Sequence, residues 1–415
     1  MELAEKKTGL LFDAAALREQ FPVLSRMVHG KPLVYFDNAA TAQRPLRVIE
    51  AMDAYYRHYN ANVHRGVHQL SVEASEAFEN AREAVRALLN AASTREIVYT
   101  RGTTEAINLV AQSYLRPRLE PGDEILITHM EHHANIVPWQ LLCRQTGAVL
   151  KVAPINRRGE LLVDELEAMI SERTRLIGLV HVSNALGTVN PVEQVCRLAK
   201  SHDVPVLVDG AQATPHMAVD VQALGCDFYC ISAHKMYGPT GIGALWAKEA
   251  ILEDMPPWQG GGEMINRVSF DQTTFNDLPH KFEAGTPNIS GAIGFGEAAR
   301  FITGADLEAM ARHEQALLDY ATEKMQAIDG LTIIGTARHK GPVISFTFDN
   351  AHPNDVGTIV DHYGVAIRTG HHCAMPVMQF FNVPATARAS FAPYNLKSEV
   401  DVFVDALESA RSMLA

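Results

Sequence analysis

The sequence predicts an α/β fold: a large domain around a mostly parallel seven-stranded sheet, followed by a smaller α+β domain. Two observations carry this reading. Short β-branched runs alternate with longer amphipathic stretches from residue 96 to residue 248, and strand, helix, strand, repeated, means a largely parallel sheet covered on both faces. The pattern then changes after the Gly/Pro-rich stretch "MPPWQGGGEM" (255–264), so a second unit follows.

The strands come in the order "EIVYT" (96–100), "EILIT" (124–128), "VLKVAPI" (149–155), "RLIGLVHVS" (175–183), "PVLVDG" (205–210), "FYCIS" (228–232) and "GALWAK" (243–248). Helical patterns fall between them: "TTEAINLVAQSYL", "NIVPWQLLCRQTG", "VDELEAMIS" and "PVEQVCRLAKSHD", where Pro191 is placed to open a helix and Gly147 to close one. From about residue 290 come two long helical stretches separated by "LTIIG", "VISFTF" and "VAIRTG". The early stretch "FDAAALREQFPVLS" has no neighbouring strands, and docking on the small unit is expected of it. The division predicted is 1–30 for this segment, 31–290 for the large domain and 291–415 for the small one.

The chain has 415 residues, 47% of them hydrophobic, and a formal net charge of −12. That is enough apolar material for a sizeable core, and the acidic balance gives no footprint for nucleic acid or an anionic membrane surface. No run of 18 apolar residues and no secretory leader is visible. The five cysteines, Cys143, Cys196, Cys226, Cys230 and Cys373, are odd in number and without a C-x-x-C spacing. A soluble cytoplasmic protein with reduced thiols is expected.

Chemistry concentrates in a few stretches. In "SAHKMYGPTGIG" (232–243) Lys235 follows a buried strand and precedes a turn-forming Gly-Pro. It is either a lysine snorkelling at a strand end or a partly desolvated Schiff-base amine. "VLVDGAQA" sets Asp209 at the carboxyl end of a parallel strand, either as a turn residue or as the acid that keeps a ring nitrogen protonated, with Gln212 three residues on. "YTRGTTEAINLV" offers Gly102, Thr103 and Thr104 where a strand hands over to a helix, suited equally to plain N-capping and to phosphate. Ser232 and His234 flank the lysine as further phosphate candidates. Amine, acid and phosphate donors are the parts that pyridoxal phosphate needs.

His129, His132 and His133 stand at another strand end, without the carboxylate–His spacing of a metal site, so stacking of one imidazole on a ring is expected instead. In "RTGHHCAMP" (368–376) Cys373 has Arg368, His371 and His372 as neighbours. Adjacent residues rarely point at one ion, and no metal is expected here either. Cys373 is therefore a thiol that positive neighbours favour as thiolate, or a buried one. The other four cysteines read as packing residues.

The blocks "FDNAAT" (36–41), "NVHRGVH" (62–68), "RGTTEAINLV" (101–110), "MEHHANIVPWQ" (130–140), "HVSNALGTVNP" (181–191), "VDGAQA" (208–213), "SAHKMYGPTGIG" (232–243), "FEAGTPN" (282–288), "RTGHHCAMP" (368–376) and "ARAS" (387–390) resemble, in order and spacing, the SufS-type (group II) cysteine desulfurases of the class V aminotransferase family. The resemblance implies a fold-type I enzyme with pyridoxal 5'-phosphate, acting as a homodimer with its sites at the subunit boundary. Lys235 would hold the cofactor, Asp209 its ring nitrogen and Gln212 its phenolic oxygen, with His132 stacked on the ring. Thr104, Ser232 and His234 would bind the phosphate, joined by Thr286 from the other subunit. Arg388 would clamp the substrate carboxylate with Asn184 nearby, and His64 and Arg65 would lie at the dimer-side entrance. Cys373 would take sulfur from L-cysteine as a persulfide, releasing L-alanine. A SufE-like or SufU-like acceptor and iron–sulfur cluster assembly would follow downstream. The competing readings are a selenocysteine lyase and a non-catalytic sulfur-relay scaffold.

Overall fold

The computed structural model describes residues 12–414. All seven expected strands form and join one sheet: β1 (Ile97–Thr100), β2 (Glu124–Thr128), β3 (Val149–Ala153), β4 (Thr174–Val180), β5 (Val206–Asp209), β6 (Phe228–Ser232) and β7 (Gly243–Ala247), in the order β1-β7-β6-β5-β4-β2-β3. β7 runs antiparallel to both of its neighbours and every other pairing is parallel. Since β7 reverses twice, the carboxyl end of β1 lies on the same edge as those of β2, β4, β5 and β6.

The continuous apolar composition of these strands follows from burial on both faces. Side chains alternate along a strand, so Tyr99, Leu126, Ile177, Val208 and Ile231 pack into one core while Val98, Ile127, Leu176, Leu207 and Cys230 pack into the other. Helix ends obey the local signals. Gly147 closes Val137–Thr146 in the left-handed conformation, and Pro191 caps Val192–Ser201. The helix begun at Thr103 continues beyond Leu109 as a π-helical turn, Val110–Leu115, which the periodicity does not announce.

The smaller sheet contains Leu331–Ile334 (β8), Val343–Phe348 (β9), Arg368–Gly370 (β10) and Thr386–Ser390 (β11), ordered β8-β9-β11-β10 and antiparallel throughout. "VAIRTG" is thus not one strand. Val365–Ala366 pairs in parallel with Val34–Tyr35, and only the residues after Ile367 join the four-stranded sheet. β11 was not expected at all: its sequence, TARAS, holds two small alanines and an arginine where β-branched residues would signal a strand.

Within the early stretch, Arg18 pairs with Glu399 at 2.9 Å and Phe21 stacks obliquely on Tyr394 with centroids 4.5 Å apart. Residues 1–11 lie outside the described residues. The helix Ile289–Thr303 packs on Leu46–His58 and on Gln69–Leu88. Gly296 makes that approach close, since a Cβ there would sit 2.4 Å from the Cα of Ala81. The expected boundary at 290/291 falls at the start of this helix, whose packing partners precede it. No helix among the described residues is long and apolar enough to cross a membrane.

Candidate active site

A cavity of about 680 Å³ opens where β1, β2, β4, β5 and β6 end, and residues of β10, β11 and the loop between them close it. This is where open parallel sheets gather ligands, because successive loops diverge there. Of the residues singled out in the sequence, Thr104, His132, Asn184, Asp209, Ser232, His234, Lys235, Cys373 and Arg388 line it. Lys235 and Cys373, 138 positions apart, therefore face one space.

Lys235 ends a short 3-10 turn, Ala233–Lys235, that leaves β6. The turn is pinned: the His234 carbonyl accepts from Ala42 N (3.0 Å) and Thr41 Oγ1 (3.0 Å), and the Ala233 carbonyl accepts from Gly238 N (2.8 Å). Burial lowers the Lys235 amine below the ordinary lysine range, opposed by Asp209 and reinforced by Arg388. Asp209, the last residue of β5, is 4% exposed and takes one bond, from Ala211 N at 3.0 Å. Burial raises its carboxyl and the Lys235 charge pulls it back. A carboxylate so placed wants a cationic partner in the cavity.

His132 accepts a bond on Nδ1 from Ala134 N at 3.0 Å. A neutral ring then carries its proton on Nε2. Burial, with Lys235, His133 and Arg388 adding to it, pushes its pKa down to about 3, so the ring is neutral at physiological pH. Ser232 Oγ accepts from Thr103 N at 2.9 Å and lies 2.9 Å from Thr103 Oγ1, tying β6 to the start of the helix after β1. Gly102 turns that corner with φ +147°, and a Cβ there would stand 3.1 Å from Ser232 Oγ.

Arg388 comes from the middle of β11 and is 1% exposed. Nη1 donates to the Asn184 carbonyl (2.9 Å) and Nη2 to Asp37 Oδ1 (3.3 Å), while Nε is buried without a partner. Burial lowers its pKa to about 10, which leaves it cationic at neutral pH. Asn184 Oδ1 is likewise buried and unpartnered.

Cys373 is exposed, and Cys196, Cys226 and Cys230 are buried, with Cys143 between these extremes. Burial pushes the Cys196 thiol up to about 12 and those of Cys226 and Cys230 well above the ordinary range, which fits packing residues. His372 and Cys373 are both left-handed, φ +52° and +53°. Their carbonyls are anchored across the cavity: Asn184 Nδ2 donates to His372 O at 2.6 Å, and His133 N donates to Cys373 O at 2.7 Å.

Four expected residues do not line this cavity. Gln212 donates through Nε2 to the carbonyl of Ala39, which itself lines the cavity, at 2.6 Å. Thr286 lines a second cavity with Arg101, Gln259 and Asn288. His64 and Arg65 sit beside Glu263, at 3.9 and 3.3 Å. Thr286, His64 and Arg65 are those the resemblance assigns to the subunit boundary.

Sequence reasoning missed Asp37. It receives Arg368 Nε and Nη2 at 3.1 and 2.9 Å as well as Arg388. "FDNAAT" contains it, but nothing local says that two arginines more than 300 residues away converge on it. It also missed Glu131, whose carboxyl burial pushes up to about 8 and which accepts from Thr128 Oγ1, Asn135 Nδ2 and Val180 N behind His132.

The residues present fit pyridoxal 5'-phosphate. An amine of lowered pKa, a buried carboxylate and a neutral imidazole surround one space, and the unpartnered Arg388 Nε and Asn184 Oδ1 offer one donor and one acceptor. Fold and site together define a class: an α/β enzyme with its pocket at the carboxyl ends of parallel strands. The aminotransferase class-V family matches residues 34–403, and the chain belongs to that family. It is 50% identical over 406 residues to a cysteine desulfurase of Escherichia coli, covering 98% of this chain and 100% of the relative. A cysteine desulfurase of Salmonella agona is 51% identical over the same length and coverage. The crystal structure of the Escherichia coli cysteine desulfurase CsdA (S-sulfonic acid) superposes with a TM-score of 0.91 at 41% identity, covering 98% of this chain and 100% of that one.

Proposed function

We propose that this chain is a pyridoxal 5'-phosphate-dependent cysteine desulfurase of the SufS type, converting L-cysteine to L-alanine and leaving the sulfur as a persulfide on Cys373. The observation that carries this reading is the shared cavity of Lys235 and Cys373, the one exposed thiol among five.

Bound at Lys235, the cofactor supplies a cationic ring that draws electron density from the substrate's α-carbon. Asp209 would pair with the ring nitrogen, His132 would stack on the ring, Gln212 would reach its phenolic oxygen, and Thr104, Ser232 and His234 would hold the phosphate. Arg388, through its free Nε, and Asn184 hold the substrate carboxylate. The Lys235 amine, kept neutral more readily by its lowered pKa, takes the proton from the α-carbon. The Cys373 thiolate then attacks the substrate sulfur. An S–S bond forms, the Cβ–S bond breaks and its electron pair stays on Cβ; protonation of Cβ and return of a proton from Lys235 to the α-carbon give alanine.

A homodimer brings Thr286, His64 and Arg65 of the partner to this cavity, which accounts for their distance from it in one chain. A SufE-like or SufU-like protein receives the sulfur for iron–sulfur cluster assembly in the cytoplasm. L-selenocysteine is the alternative substrate, since selenolate leaves without thiol assistance.

Incubating the purified enzyme with cysteine while measuring alanine and mapping the modified thiol by mass spectrometry tests the reading. Cys373→Ala should lose alanine release from cysteine, keep the visible absorption of the cofactor and still release alanine from selenocysteine. An unchanged rate with cysteine rejects Cys373 as the nucleophile.

A further inference from the structure

We infer that His64, Glu79 and His280 form a binding site for a divalent transition metal of the zinc type. One ligand atom from each, an imidazole nitrogen or a carboxylate oxygen, lies within 4.8 Å of the other two. Around a tetrahedral zinc ion with bonds of about 2.0–2.1 Å, ligand atoms stand roughly 3.4 Å apart, so modest side-chain rotation closes the set. None of the three lines the Lys235 cavity of its own chain, while the homodimer reading brings His64 to the entrance of the partner's cavity.

The residues come from three segments that the fold holds together. His64 lies in the loop before the helix Gln69–Leu88, Glu79 on that helix, and His280 opens the 3-10 turn His280–Phe282 that leads into "FEAGTPN". His64 Nε2 is 3.1 Å from Glu79 Oε1, and the rings of His64 and His280 are 5.0 Å apart at their centroids. His64 is left-handed at φ +70°, with its backbone N–H bonded to Ser75 Oγ at 2.8 Å.

The surroundings are those of a metal site. Glu79 Oε2 accepts from Arg82 Nε at 2.9 Å and Oε1 from Arg82 Nη2 at 3.4 Å, which fixes the carboxylate with Oε1 also 3.1 Å from His64 Nε2. Glu263 Oε2 lies 3.9 Å from His64 Nδ1, on the ring nitrogen that faces away from Glu79. At that separation the carboxylate acts on the ring through its charge and not through a direct hydrogen bond. Two histidines and one carboxylate with an open fourth position make a set that zinc accepts and magnesium does not.

Holoenzyme carrying Cys373→Ser, which removes the exposed thiol as a competing ligand, is dialysed against zinc chloride without cysteine and its metal content measured. One zinc per chain is expected, together with a higher thermal midpoint, because the ion ties the three segments in the folded state only. Adding His280→Asn should weaken zinc binding at least 10-fold and abolish the thermal shift. Should that variant fail to fold, His280→Gln is read the same way. Equal zinc affinity with and without His280, or no bound zinc in the parent, overturns the site. Neither readout involves turnover, so the result is independent of the desulfurase reading.

Discussion

The two walls of the cavity are built in opposite ways. On the wall of the large sheet, Lys235 and Asp209 stand at the ends of adjacent parallel strands whose registers place Asp209 beside Cys230, and the lysine turn is clamped through three backbone or hydroxyl bonds. On the facing wall, Cys373 sits exposed in a turn of two consecutive left-handed residues, a conformation that costs on the order of 1–3 kcal/mol each, and two bonds from across the cavity hold that turn. The difference matches two tasks. A base that must meet one hydrogen needs a fixed position, whereas a thiol that first attacks inside the cavity and then hands sulfur outward needs a segment that can be released.

The fixed wall should fail abruptly. Lys235→Ala removes both the amine that anchors the cofactor and the proposed base, and alanine release should fall on the order of 10³-fold or more, with the cofactor no longer covalently retained after borohydride treatment. Retention of a borohydride-fixed cofactor in the variant would move the attachment point elsewhere and dissolve the contrast between the walls.

Acid should loosen both walls together. His132, His181 and His372 are held neutral by burial, with folded pKa values of about 3, 4 and 3. Unfolded histidines take up a proton near 6.5. Between the two values the unfolded chain binds more protons than the folded one, so stability falls as pH drops below about 6.5 and keeps falling until the folded rings titrate. Each ring costs about 2 kcal/mol at pH 5 on that basis. Denaturant midpoints at pH 7.5 and pH 5 measure the sum, and a midpoint independent of pH would mean the rings are charged in the fold.

How much of this was legible beforehand follows the same division. The wall of parallel strands announces itself, because burial on both faces forces unbroken apolar runs and each run ends at a residue, Asp209 or Ser232, that chemistry can use. Lys235 and Cys373 stood out locally for the same reason, as a lysine after a buried strand and a cysteine behind two histidines. β11 did not, since Ala387 and Ala389 pack in the small core without β-branched signals. Asp37 was hidden because its role comes from partners more than 300 residues distant, and "VAIRTG" hid a break between two sheets because both halves are extended. Long-range convergence leaves no periodicity to read.

The finest test of the contrast is Asn184. Its Nδ2 bond to the His372 carbonyl is one of the two anchors of the thiol turn, while its Oδ1 faces the proposed carboxylate site. Asn184→Ala deletes the anchor and leaves a buried carbonyl unsatisfied, a loss of about 1–3 kcal/mol. If the turn is held chiefly from across the cavity, that energy appears as mobility of the Cys373 segment: alkylation of the thiol by iodoacetamide should speed up, and persulfide formation should drop about 10-fold while cofactor absorption stays unchanged. A variant with normal alkylation but weaker cysteine binding would assign Asn184 to the substrate alone. The thiol turn would then be as rigid as the wall it faces.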